Sequence, residues 1–192
     1  IVVTGANDFG TNRGFDVVVA RFNSNGSLDT SFGTNGLTGT AISSGTDRGN
    51  SLAIQADGKI VVTGIASDSK GFDIAVLRYN SNGSLDTTFD GDGIVVTALK
   101  GADFGLSLAL QADGKIVVSG VSNTISKSGM ALLRYMSNGA LDTTMAGTGY
   151  TVLDIGGLGC QSYSMALQPD GKIVLAGYVY LGPSSYNFAT VR

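Results

Sequence analysis

Ser51–Gly64 reads SLAIQADGKIVVTG. In its first five residues Leu52 and Ile54 alternate with Ser51, Ala53 and Gln55, the period of a half-buried strand. Asp57-Gly58 then supplies two residues that tolerate positive φ, as a two-residue hairpin turn requires. Ile60–Val62 is an unbroken β-branched run, suited to a strand covered on both faces. The stretch is therefore two antiparallel strands and their turn. Beyond it Phe72–Tyr79 (FDIAVLRY) makes a third strand, Asn82-Gly83 breaks the chain, and Ile94–Thr97 makes a fourth. Designated A to D, the four strands form one antiparallel meander.

The meander recurs. Strand B returns as IVVTG at Ile1, IVVSG at Ile116 and IVLAG at Ile173, giving spacings of 59, 56 and 57 residues. Strand C returns as FDVVVARF from Phe15, GMALLRY from Gly129 and NFATVR from Asn187. The following turn, NGSLDTSF, NGSLDTTF or NGALDTTM, begins at Asn25, Asn82 and Asn138, and strand A begins at Ser51, Ser107 and Ser164. A lone meander cannot cover both its faces, so neighbouring units must stack. Four strands in about 57 residues fit a β-propeller blade. The competing architecture, a β-solenoid, has shorter and parallel coils, against which the Asp-Gly hairpin argues. No stretch combines helical spacing with a capping signal, so almost no α-helix is expected.

Composition narrows the function classes. The 192 residues include 29 Gly and 2 Pro, no His and no Trp, and 43% are hydrophobic, which fits a turn-rich all-β chain with a core. A net charge of −3 without a basic cluster gives nucleic acid no electrostatic footprint. No apolar run approaches the length of a membrane span. The lone Cys160 cannot form an internal disulfide and, with no His to act as base, reads as a small buried residue rather than a nucleophile. The chain starts inside a strand B without Met and stops after a strand C, so about three and a half units are present. The whole is read as one repeat domain, residues 1–192. A longer polypeptide or a second copy is expected to supply the rest of a ring, two copies making seven units, and no signal peptide can be read from such a start.

The blocks LQADGKIVVSG and LRYNSNGSLDTTF resemble the delta-60 repeat family of secreted and surface proteins of bacteria, over essentially the whole chain. The resemblance implies a β-propeller and an extracellular or cell-surface setting. It implies no reaction, because it brings no catalytic residues to transfer.

Topology separates scaffold from candidate site. The A–B and C–D turns share one end of the meander and repeat almost verbatim. The B–C connections (6–14, 65–71, 121–129, 178–187) and D–A connections (39–50, 98–105, 154–163) share the other end and do not repeat. Divergent loops on a constant scaffold are where function is expected. The candidate binding face there comprises Asp8, Arg13, Asp47, Arg48, Asp68, Lys70, Lys100, Asp103 and Lys127. It also holds Tyr178, Tyr180 and Tyr186 in the last B–C loop, where they would stack on a sugar, anchor a protein partner, or pack on a neighbouring blade. Carboxylates converging from Asp8, Asp47, Asp68 and Asp103 are the one route to a hydrolase or lyase.

The constant end is expected to be structural. Arg21, Arg78 and Arg134 each precede an Asp (Asp29, Asp86, Asp142) by eight residues, and a pair that recurs in every unit ties strand C to its turn. Asp57, Asp113 and Asp170 are turn formers. Asp90-Gly91-Asp92-Gly93 resembles the start of a calcium loop, but two carboxylates leave the ligand set incomplete and the glycines suit a turn. Asn25-Gly26-Ser27 and Asn82-Gly83-Ser84 match the N-glycosylation pattern, though Asn-Gly is also what the turn demands. The leading expectation is a non-enzymatic extracellular propeller for protein interaction or structure. The alternatives are a carbohydrate- or calcium-dependent binding propeller and a propeller hydrolase or lyase.

Overall fold

A computed structural model describes residues 1–8, 14–124 and 126–192, and within them the chain is all-β: fourteen strands and no helix. No helix long and apolar enough to cross a membrane is present among the described residues. The strands form four antiparallel meanders, the blades of a β-propeller. The first sheet holds β1 (Val2–Asn7), β2 (Asp16–Arg21) and β3 (Leu37–Thr40), and the second β4 (Arg48–Ile54), β5 (Ile60–Asp68), β6 (Gly71–Tyr79) and β7 (Ile94–Thr97). The third holds β8 (Ala102–Leu110), β9 (Ile116–Asn123), β10 (Ser128–Tyr135) and β11 (Tyr150–Leu153), and the fourth β12 (Gly159–Leu167), β13 (Ile173–Gly182) and β14 (Ser185–Val191). Two units are complete sheets, and the remaining one and a half are divided between the two three-stranded sheets.

The chain divides into two compact units, Ile1–Thr97 and Ala98–Arg192, each a pair of stacked sheets. In the first, Val17 and Val19 of β2 pack against Ile60, Val62, Leu77 and Tyr79 of the second sheet. In the second, Met130 of β10 packs against Cys160, Leu175 and Ala189 of the fourth sheet. Sheets that alternate inward apolar residues on both faces are buried only by such stacking, which removes apolar surface from water at about 25 cal/mol per Å². Cys160 is fully buried, and its thiol donates to the Leu153 carbonyl at 3.3 Å.

Each strand A carries a bulge, at Gly49/Ser51, Gly105/Ser107 and Ser162/Ser164, which leaves Asn50, Leu106 and Tyr163 as the extra residues. The bulge explains the glycine that closes IVVTG. A Cβ on Gly64 would stand 1.7 Å from the Arg48 carbonyl oxygen, and on Gly120 or Gly177 it would stand 1.8 Å from Phe104 or Gln161. Two backbones approach there more closely than any side chain allows.

The strands differ from expectation in length. Strand A of the second sheet begins at Arg48 rather than Ser51, and the expected B–C loops 65–71 and 178–187 are β-hairpin. Strands β5 and β6 stay paired out to Asp68 and Gly71. Strands β13 and β14 stay paired to Gly182 and Ser185, so Tyr178, Tyr180 and Tyr186 lie on strands and not in a loop. Alternating Tyr and Val residues have strand preference enough to carry the ladder past Gly177 and as far as Gly182.

Candidate functional site

At the constant end the repeated charges close into buried networks. Arg78 Nε donates to Asp86 Oδ2 at 2.6 Å, with only 6% and 4% of the two side chains exposed, and Lys59 from the A–B hairpin reaches the same oxygen at 2.9 Å. Arg134, Asp142 and Lys115 repeat the arrangement at 2.8 and 3.4 Å. The other oxygen of each carboxylate accepts the hydroxyl and amide of Thr88 or Thr144. Arg21 and Asp29 pair at 2.8 Å in a more open setting. Arg21 also donates to the Ser81 carbonyl, and the Gly33 amide donates to the Asn82 carbonyl at 2.8 Å, tying the first sheet's turn to the second's. Arg21 and Arg78 lie over the rings of Phe32 and Phe89, each 4.8 Å from the centroid.

The protonation of these groups follows from their partners. Burial pushes the Asp86 carboxyl up, but the Thr88 hydroxyl, Lys59, the Thr88 amide and Arg78 together outweigh it and hold it well below the usual range. The Thr144 hydroxyl leads the groups that lower Asp142, to about 2. Every polar atom of these carboxylates is engaged within the fold, so the constant end offers them to no ligand.

Asp90 and Asp92 lie in the turn before β7. Asp90 takes left-handed φ of 52°, as Asn35 and Ala146 do at the same place with 55° and 54°, and Asp92 Oδ1 accepts the Ile94 amide at 2.8 Å. No group of three or more His, Cys, Asp or Glu side chains able to hold a metal occurs among the described residues. Asn25 and Asn82 accept the amides of Ser27 and Ser84, both at 3.0 Å, within the C–D turns.

At the variable end two of the expected binding residues are internal. Asp47 is fully buried: its carboxylate accepts the amides of Ile42, Ser43 and Ser67 and the Ser43 hydroxyl, at 2.6 to 3.2 Å. Asp103 is also fully buried and accepts the Leu99 amide at 2.7 Å. Both therefore hold their D–A connections rather than face a partner, because a short loop crossing the sheet end needs an acceptor for its inward amides. Neither can join a carboxylate pair open to substrate. Asp8, Arg48, Asp68, Lys70 and Lys100 are exposed, and exposed Lys127 forms an ion pair with Asp154. Arg13 lies outside the described residues. A hollow of about 320 Å³ opens between the Ile42–Ser44 connection and the β5–β6 hairpin, with Asp68 and Asp73 on its wall.

An exposed aromatic cluster lies on one face of the fourth sheet. In the register Tyr180 stands opposite Tyr186 and Tyr178 opposite Phe188, so all four side chains project from one face. The bulge residue Tyr163 joins them. Ring centroids are 5.8 Å apart for Tyr163–Tyr178 and 5.1 Å for both Tyr178–Tyr186 and Tyr180–Tyr186, at interplanar angles of 41°, 87° and 38°. Tyr163, Tyr186 and Phe188 are 55%, 60% and 78% exposed. Tyr163 and Phe188 do not stand out in the sequence. Tyr163 enters through a bulge, and Phe188 sits where other units carry Val17, Ile74 or Met130, all fully buried.

A family model described as "Domain of unknown function (DUF5122) beta-propeller" matches residues 1–32, 55–89, 111–144 and 168–192. The matched segments take in strands B and C and the constant turns, and leave out the D strands and the D–A connections. No curated protein matches the chain.

Proposed function

The chain belongs to the DUF5122 beta-propeller family, and from that premise we propose that it is a non-enzymatic interaction module, working outside the bacterial cell or on its surface, that binds a protein through the aromatic face of the β12–β13–β14 sheet. The observation that carries this reading is the exposure of Phe188, Tyr186 and Tyr163 together on one regular sheet. Exposed aromatic clusters on rigid strands are what protein interfaces use as anchors. The rings favour a protein over a sugar. They meet edge-on or tilted and pack on one another, whereas a sugar stacks on a ring held flat and open. Burial of Asp47 and Asp103 supports binding over catalysis, since it removes two of the four carboxylates from which a hydrolase would be assembled.

The test is a photo-crosslinking amino acid at Tyr186 in the bacterium that makes the protein. A discrete crosslinked protein is expected, lost when Phe188 is replaced by Ser. Crosslinks to glycan alone, or none at all, would overturn the reading.

A further inference from the structure

Asp47 and Asp103 occupy one position in two sheets, each two residues before the glycine that faces the motif glycine, Gly64 or Gly120. Their surroundings differ. The Asp47 carboxylate takes the Ile42 and Ser43 amides on Oδ2, and the Ser43 hydroxyl and the Ser67 amide on Oδ1. Asp103 takes the Leu99 amide on Oδ2 at 2.7 Å, and its Oδ1 has no hydrogen-bond partner although the residue is fully buried. One substitution accounts for much of the difference. Ser43 and Leu99 each lie four positions before their aspartate, and the leucine keeps the amide but lacks the hydroxyl.

A second unpartnered group stands beside Asp103. Ser122 faces it directly in the β8–β9 register, so the two side chains project from the same face of the sheet. Ser122 is 1% exposed, and its Oγ also lacks a hydrogen-bond partner. Counted from the start of strand B, the second sheet carries Ala66 at this place and the fourth Val179, so the hydroxyl is peculiar to the third sheet among these. On its other side Ser122 faces Gly129, where the second sheet sets Asp73 opposite Ala66. Ser122 and Gly129 line a cavity of about 140 Å³, with Thr124, Val152 and Asp154 around it. Lys127, on the same cavity, is paired with Asp154. A carboxylate buried with a single amide donor must recruit a positive charge or give up its own.

We propose that a monovalent alkali cation, Na⁺ or K⁺, binds at β8–β9 with Asp103 Oδ1 and Ser122 Oγ among its ligands. Carboxylate and hydroxyl oxygens are hard ligands suited to such ions. The charge selects the valence: one carboxylate balances one positive charge, whereas a fully protein-held Ca²⁺ gathers several carboxylates and carbonyls, and Mg²⁺ demands a near-ideal octahedron. Water would bridge the same two oxygens but leave the buried charge unbalanced. The ion does for Asp103 what the Ser43 hydroxyl does for Asp47, and so fastens the 98–105 connection at the variable end. This site is separate from the aromatic face and stands or falls apart from it.

Urea unfolding of the 192-residue chain in NaCl, KCl and tetramethylammonium chloride, at one ionic strength, tests the site. Tetramethylammonium is a cation that oxygen ligands do not coordinate. The native chain is more stable in at least one alkali salt. Above the Kd, each tenfold rise in that cation lowers the unfolding equilibrium constant about tenfold. Asp103→Asn removes this dependence. Ser122→Ala installs the residue of the second sheet and raises the cation concentration needed. Leu99→Ser supplies the hydroxyl that Asp47 receives from Ser43, and leaves the chain equally stable in all three salts. Asp47→Asn lowers stability while leaving the dependence on the alkali cation intact. Equal stability of the native chain in the three salts overturns the proposal, and means that water or a proton meets Asp103. So does a dependence that Ser122→Ala and Leu99→Ser both leave unchanged, which puts the ion elsewhere. Stabilisation by CaCl₂ but by neither alkali salt overturns it as well.

Discussion

Gly64 and Gly5 close the same IVVTG motif, but only Gly64 lies beneath a bulged neighbour. The Arg48 carbonyl leaves no room for a Cβ there, while nothing lies within 4 Å of the place a Cβ would take on Gly5. Gly64→Ala is expected to destabilise by at least about 1–3 kcal/mol, since backbone must move to admit it. Gly5→Ala should stay within about 0.5 kcal/mol of the native chain. Urea unfolding of the two variants checks this, and equal losses would mean that the bulge does not explain the glycine. Ala146 makes the converse case, holding φ of 54° where a Cβ is unfavourable. Ala146→Gly should raise stability by about 1 kcal/mol in the same assay. The motif glycine stands in all four copies of the sequence, and in each of the three sheets that hold a strand A it answers a bulge. A bulge is a matter of which residue pairs with which, and residue 50 is Asn, 106 Leu and 163 Tyr, with nothing in common to announce it.

The hairpins at the constant end act as charged clamps, and their protonation fixes how the elements respond to acid. Folding lowers the Asp142 carboxyl to about 2 and holds Asp86 well below the usual range, while in the unfolded chain both titrate near about 3.9. In that interval the unfolded state binds more protons, so the stability these groups give is complete above about pH 4 and is lost as pH falls through 2. The melting temperature of an Asp86→Asn, Asp142→Asn double variant should consequently fall less steeply than the native one between pH 5 and 2. A parallel fall would remove the clamps from the account. Tyr79 works in the opposite direction: burial raises its hydroxyl to about 12, and the hydroxyl donates to Thr40 Oγ1 at 2.8 Å. A raised acid favours the fold below the unfolded value of about 10 and loses that contribution as pH climbs to 12. Tyr79→Phe should cost about 1 kcal/mol at neutral pH, by leaving the Thr40 hydroxyl without its donor, and should flatten the alkaline loss seen in thermal melts. The Arg–Asp spacing of eight was legible because both members belong to one local strand and turn. Lys59 and Lys115 were not, because they reach the carboxylate from the preceding hairpin. Gly182-Pro183 marks a break in the sequence, but nothing in it tells that the ladder holding Tyr178, Tyr180 and Tyr186 runs as far as Gly182.

Across the whole molecule, burial falls from the inner strands toward the sheets at either end of the chain. Strands β5 and β9 are buried along nearly their whole length, while β14 exposes most of its residues and β1 has no fully buried one. The sequence makes all four copies of strand B look alike, because composition records what a strand could bury and not whether anything lies over it. Hydrogen exchange reads that difference directly, since amides open in cooperative units whose free energy follows local packing. Amides of Val61–Ile65 and Val117–Val121 should exchange slowest, near the rate set by global unfolding. Those of β14 and β1 should exchange orders of magnitude faster, even though Val2–Asn7 and Ile60–Asp68 share a motif. Equal protection of β1 and β5 would show that stability is spread evenly and that the repeat unfolds as a single cooperative block. A gradient, by contrast, shows that the amides open in separate units whose free energies follow the packing of each strand.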